Sequence, residues 1–263
     1  MTILQSWWAK IGVLELFGLL AGNRRIATYI ELLKTLGENS NIKSVIISVD
    51  SPGGLATASD YLYSAIGRLA AKKPVVAFIS GSGTSGAYLV SCAAHKIVTL
   101  PSAVIGSIGV ISSRPVLERL LERIGVRVSV TKSGPLKDMG AFYREPSEEE
   151  KQKEQELINS YFDYFVKVVA KGRHMEMSRV RELATGEVFL GEKAKGLGLV
   201  DEVGDFDNAL DLAAQLGKVR RRFGYVRPRR GFAERLVSRF AISFLEETLE
   251  LGYLLTPQIY YLG

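Results

Sequence analysis

Apolar and polar positions follow one another along the chain in blocks of two lengths. Strand-length apolar runs, rich in β-branched residues, occur at Ile11–Leu16, Ile42–Val49, Val75–Ser80 and Lys96–Leu100. Between them, Arg24–Leu36, Ala56–Ala71 and Ser85–Ala94 carry apolar residues at helical spacing. This rhythm predicts an α/β fold with largely parallel strands. Val104–Ile111 reads as a further strand broken by Gly106 and Gly109, Val116–Ile124 as a helix, and Val126–Thr131 as a strand ending at Lys132-Ser133-Gly134-Pro135. Leu136–Pro146 is irregular. Ser147-Glu148-Glu149-Glu150 then opens a long helix that runs to about Lys171. Its S-x-x-E spacing is a capping box, and acids in a first turn suit the helix dipole. A shorter helix over Ser178–Ala184 and a second α/β piece from Glu187 to Gly217 complete the pattern. No internal repeat or low-complexity tract occurs.

Composition narrows the class. Of 263 residues 47% are hydrophobic, enough for a real core and too many for a disordered chain. One cysteine forms no internal disulfide, and two histidines leave little room for histidine chemistry. The net charge of +6 is uneven: Lys218 to Arg239 holds nine basic residues against one acid, which leaves the rest of the chain near neutrality. The sequence therefore divides at 217/218 into a main domain and a basic tail. Ile11–Gly22 is apolar but short, and Glu15 interrupts it. No run of about 18 uncharged apolar residues and no signal-peptide pattern occurs, so a membrane-associated or cytoplasmic chain without a spanning helix is expected.

Two strand–helix junctions carry chemistry. Asp50-Ser51-Pro52-Gly53-Gly54 follows one strand, and its glycines let backbone N–H groups approach a ligand; an ordinary turn has the same composition. No G-K-[ST] follows, so this is not a phosphate loop. Gly81-Ser82-Gly83-Thr84-Ser85-Gly86-Ala87-Tyr88 forms the second junction, where Ser85 is either a presented nucleophile or a plain helix cap. A nucleophilic serine needs a base. His95 lies ten residues on, and His174 follows the long helix in a polar stretch, so turn or surface roles suit both. A desolvated lysine serves instead, at a cost of about 3–4 kcal/mol to bring an amine from about 10.4 towards 7–8. Lys137 fits such a role, yet periodicity does not separate it from Lys132.

Taken together, these pieces resemble the signal peptide peptidase A family of serine peptidases, within the group that shares the Clp protease and crotonase spiral of β-β-α units. The resemblance covers Lys10 to Gly217. It rests on Asp50–Gly54 against an S-P-G-G turn, Thr84–Tyr88 against S-G-[GA]-Y, and Gly106–Val110 against G-S-I-G-V. Lys132–Asp138 matches K-S-G-x-x-K-D, and Gly186–Phe189 with Gly191 and the run Gly196–Gly204 match closing motifs. The resemblance implies a Ser–Lys dyad with Ser85 as nucleophile and Lys137 as general base. Ser107 would orient the lysine, and the N–H groups of Gly54 and Gly86 would form the oxyanion hole. It further implies residues 1–217 as the catalytic domain, ATP-independent cleavage of signal peptides and other unfolded or membrane-derived peptides, and a homo-oligomer that completes and shields the site. No metal or organic cofactor is expected. Family members commonly have an N-terminal membrane anchor; none is expected within these residues, which fits either a trimmed chain or a member that attaches otherwise, and His95 stands where Asp or Asn is usual.

The tail, residues 218–263, joins arginines to an apolar stretch in which Leu236, Phe240, Phe244 and Leu251 share a face. It suits peripheral contact with an anionic membrane or packing on another subunit; nothing in it resembles a nucleic-acid-binding motif. The competing readings are a crotonase-like acyl-CoA enzyme, which would not need Ser85 or Lys137, a non-catalytic membrane scaffold, and a stomatin-associated relative of the same peptidase group.

Overall fold

The computed structural model describes residues 2–4, 8–228 and 259–262. The chain runs β1 (Thr2–Leu4), β2 (Ile11–Phe17), α1 (Asn23–Glu38), β3 (Ser44–Ser51), β4 (Gly53–Leu55), α2 (Ala56–Ala70), β5 (Val75–Thr84) and α3 (Gly86–Ser91). There follow β6 (Lys96–Thr99), β7 (Val104–Gly106), β8 (Ile111–Ser112), α4 (Glu118–Arg123), α5 (Glu148–Arg173) and α6 (Met177–Leu183). The last elements are β9 (Val188–Leu190), α7 (Gly191–Gly196), β10 (Glu202–Val203), α8 (Phe206–Gly217), β11 (Phe223–Pro228) and β12 (Ile259–Leu262).

The main sheet orders its strands β1-β11-β2-β3-β5-β6-β10, with β7 on the far end of β5 and β9 on β7. The pairs β11–β2, β2–β3, β3–β5, β5–β6, β6–β10 and β5–β7 are parallel. Such strands are covered on both faces, which explains the continuous apolar runs. On one face Val45, Ile47, Val49, Val75, Ala77 and Ile79 pack with buried residues of α1, α2, α3 and α5. On the other, Ile46, Val76, Phe78 and Val98 meet Ala209, Leu210 and Ala213 of α8. A small second sheet, β4-β12-β8, is antiparallel. The succession β3-β4-α2, in which the chain leaves one sheet for the other before its helix, is the β-β-α unit of the expected spiral.

Several expectations need correcting. Val126–Thr131 forms no strand: its alternate valines are exposed, and no pairing edge meets it within the described residues. Alternation alone supplies a face, and a strand also needs a hydrogen-bonded neighbour. The run 104–111 is two short strands in different sheets, because Gly106 and Ser107 both adopt positive φ and redirect the chain. Residues 223–228, read as part of the basic linker from 218, lie as β11 beside β2. The long helix begins as expected, with Ser147 Oγ accepting from the Glu150 N–H at 3.2 Å and Glu150 Oε2 accepting from the Ser147 N–H at 2.8 Å. The expected amphipathic helix 232–251 lies outside the described residues.

Candidate active site

Strand β5 continues past the apolar run through Gly81-Ser82-Gly83 to Thr84, and the chain then turns sharply into α3. Two features shape that path. The Ser82 N–H donates to Asp50 Oδ1 at 2.8 Å, and a Cβ on Gly81 would sit 2.4 Å from the same oxygen. Ser85 occupies the turn with φ 54 and ψ −123, an unfavourable conformation for a non-glycine residue. A serine on a strained strand-to-helix elbow is a known way to present a nucleophile. The ordinary cap role is not observed, because the Ser85 side chain makes no cap bond to α3. Its Oγ is buried and lacks a hydrogen-bond partner among the described residues.

The neighbouring strands bring other residues to this elbow. Thr84 pairs with Gly106, and the Ser85 N–H donates to the Gly106 carbonyl at 2.8 Å. Ser107 follows immediately, buried and with φ 49, its own N–H held by the Glu187 carbonyl at 2.7 Å. Gly54 stands in β4 against Leu20: the Leu20 N–H donates to the Gly53 carbonyl and the Leu55 N–H to the Leu20 carbonyl. The alternation of a strand therefore turns the N–H and C=O of Gly54 to the opposite edge, where β12 lies with Tyr261 opposite Gly54. Gly86 is the first residue of α3, a position whose N–H has no acceptor within the helix. Ser85, Gly86, Ser107 and Gly54 thus gather at the carboxyl ends of β3, β5 and β7 and beside β4.

Lys137 is not brought into hydrogen-bond contact with Ser85 in the single chain. It sits exposed in the turn 134–140, its N–H donating to the Gly134 carbonyl at 3.2 Å. Among the described residues its side chain makes no ion pair. Lys132 is engaged, with Nζ 2.6 Å from Asp138 Oδ1 and 3.1 Å from the Pro135 carbonyl. Neither histidine approaches the elbow: His95 Nδ1 accepts from the Val75 N–H at 3.1 Å, and His174 closes α5 with φ 52. Cys92 is buried behind α3, and desolvation pushes its thiol up to about 12, which leaves it unreactive.

The model of peptidase family S49 matches residues 67–220, from within α2 past the end of α8. This chain belongs to peptidase family S49. A protein of Methanocaldococcus jannaschii that carries a protease name is 40% identical to this S49 chain over 191 residues, 73% of this chain and 61% of the relative. The serine protease SPPA of Arabidopsis thaliana chloroplasts is 34% identical over 191 residues, 72% of this chain and 28% of the relative. The S49 chain therefore spans less than two thirds of either. Among solved structures, a ClpP1 mutant from Listeria monocytogenes superposes with a TM-score of 0.53 at 16% identity, covering 75% of this chain and 93% of that one. The S49 chain thus has the Clp protease-like fold.

Three features of the S49 chain were not signalled by motif or periodicity. Arg144 bonds Asp138 and Glu150 together. Glu154, one turn further along α5, accepts from Ser112 Oγ and Arg114 Nη1, each at 2.5 Å. Strand β12 lies between β4 and β8. The capping box at 147–150 was the one local signal near these contacts. No helix of the described residues is long and apolar enough to cross a membrane.

Proposed function

We propose that this chain is the catalytic unit of an ATP-independent serine endopeptidase in which Ser85 is the nucleophile and Lys137 the general base. The observation that supports this reading is the Ser85 hydroxyl, buried, uncapped and without a hydrogen-bond partner among the described residues, on an elbow of positive φ. Lys137 Nζ, when neutral, takes the Ser85 proton as Oγ attacks the peptide carbonyl. The N–H groups of Gly54 and Gly86 bear the developing oxyanion, each such donor typically contributing a few kcal/mol. Lysine returns the proton to the leaving amine as the C–N bond breaks, and a water, deprotonated by the same lysine, hydrolyses the ester. Ser107, one residue beyond the Gly106 carbonyl that holds Ser85, orients the lysine in this reading. Lys132 suits the role less well because its ammonium is committed to Asp138.

Substrate binds as an extended strand in the slot between β4 and β8. Support comes from the chain itself, whose residues 259–262 pair antiparallel with both strands. Signal peptides and other unfolded or membrane-derived segments suit a slot that reads backbone. The enzyme works as a homo-oligomer. An amine accepts a proton only when neutral, which burial favours, and assembly over the 134–140 turn supplies that burial. Ile111, Val116, Leu120, Ile124, Val126 and Val128 expose the apolar surface for a second copy. Peripheral membrane contact through the tail remains part of the proposal and draws on its basic and apolar composition alone.

The test is hydrolysis of an unfolded protein and of a synthetic signal peptide by wild type, Ser85→Ala and Lys137→Ala, each checked for folding. Loss of nearly all cleavage in both variants is expected. Full activity in Lys137→Ala would remove the base assignment and turn attention to Lys132. A folded wild type that cleaves no peptide would favour an acyl-CoA enzyme or a scaffold.

A further inference from the structure

We infer that Arg144 is a positioning residue for Lys137, tying the lysine turn to the first turn of α5. The inference rests on the Ser85–Lys137 reading and adds to it a residue that neither the motifs nor the resemblance names. Asp138 follows Lys137 directly. Arg144 Nε and Nη2 bond the two oxygens of the Asp138 carboxylate at 3.0 and 2.8 Å, while Nη1 and Nη2 bond the two oxygens of Glu150 at 2.8 and 2.6 Å. One planar guanidinium therefore grips two carboxylates, each through a two-point contact that a point charge does not reproduce. The Asp138 side chain is 12% exposed and that of Glu150 only 2%, so neither carboxylate exchanges this partner cheaply for water. Lys132 and the Tyr143 hydroxyl complete the shell of Asp138.

The other end of the tether is rigid. Glu150 closes the capping box of α5, a helix of 26 residues and so roughly 39 Å in length. Its far half is buried through Phe165, Val166 and Val169, and it passes so near the end of α3 that a Cβ on Gly172 would lie 2.4 Å from the Cys92 carbonyl. The same helix that packs on the nucleophile's helix thus holds the lysine turn through Glu150 and Arg144. Glu154 lies one turn from Glu150 on the same face and holds β8, the edge of the peptide slot, through Ser112 and Arg114. Without Arg144, two carboxylates would face one another and the turn would lose its register against α5.

The experiment measures kcat and KM on a short fluorogenic peptide, the pH profile of kcat/KM, and the rate of Ser85 labelling by a fluorophosphonate. It compares wild type, Ser85→Ala, Arg144→Ala, Arg144→Lys and Asp138→Asn, with circular dichroism on each. Arg144→Ala is expected to lower kcat about tenfold or more with KM within about threefold, and to displace the acid limb of the profile, which reports the base. Arg144→Lys recovers part of the loss, and Asp138→Asn, which leaves the Arg144–Glu150 pair intact, shows the same displacement in weaker form. A folded Arg144→Ala with kcat within about twofold of wild type and an unmoved acid limb overturns the inference. If Arg144→Ala does not fold, Asp138→Asn decides by the same two readings. An inactive wild type, or an active Ser85→Ala, overturns the peptidase reading and the inference with it.

Discussion

The Ser85 N–H and the Gly106 carbonyl are hydrogen-bonded at 2.8 Å across two parallel strands. That bond falls where both strands end, and the residues that follow, Gly86 and Ser107, leave in different directions under positive φ at Ser85 and Ser107. Two strained serines are thereby held side by side by a backbone hydrogen bond. Such strain costs on the order of 1–3 kcal/mol per residue, and the buried strands beneath supply the constraint.

Gly54 is held to glycine by close approach. A Cβ there would lie 2.3 Å from the Leu20 carbonyl oxygen and 2.6 Å from its carbon, both backbone atoms that side-chain rotation does not relieve. Gly54→Ala should displace β4, cost about 1–3 kcal/mol of stability and, if its N–H is the proposed oxyanion donor, lower kcat/KM by on the order of 10²-fold by moving that N–H out of place. Urea unfolding together with peptide kinetics checks both figures. Near-wild-type kinetics would mean that Gly54 contributes no donor.

Residues 259–262 fill the slot between β4 and β8. A tethered occupant competes at high effective concentration, so removal of residues 259–263 should lower KM for a short peptide by about threefold or more. The free peptide Ile-Tyr-Tyr-Leu-Gly should in turn inhibit the truncated enzyme competitively. An unchanged KM with no inhibition would place peptide binding elsewhere.

The Arg144 cluster should give stability a dependence on acid pH. Hydrogen bonds from Arg144, the largest effect at both sites, hold Asp138 well below the usual carboxylate range and draw Glu150 down from 4.5 to about 2. A carboxyl whose folded value is depressed stabilises the fold above its unfolded value, and that contribution disappears as pH falls through the folded value. Wild type should therefore lose urea resistance steadily from about pH 5 towards about pH 2, and Arg144→Ala should show a shallower slope over that interval. Parallel slopes would show that the pairs contribute nothing to the folded state.

The chain itself displayed much of the frame. Runs such as Ile42–Val49 and Val75–Ser80 announce strands covered on both faces, because only there is a continuous β-branched run buried. Ser147 and Glu150 announce the start of α5, since a capping box is satisfied within four residues. The small residues around Ser85 showed that a sharp, open turn was possible. Where pairing partners decide the outcome, the reading failed: Val126–Thr131 has the alternation of a strand without an edge to join, and Phe223–Pro228 joins the main sheet from within a segment that charge alone assigned to a tail.

The sequence by itself determined the alternation of the central strands and helices, the glycines where backbone must pass close to backbone, and the family to which the motifs point. These are matters of local conformation and periodicity, which neighbouring residues carry. Only the tertiary structure decided that Ser85 and Ser107 share one end of the main sheet, beside the strand that carries Gly54, that residues 259–262 lie between β4 and β8, and that Arg144 joins Asp138 to Glu150. Those relations depend on strand register and on the direction in which α5 crosses the molecule, and both are settled by packing between segments far apart in the chain.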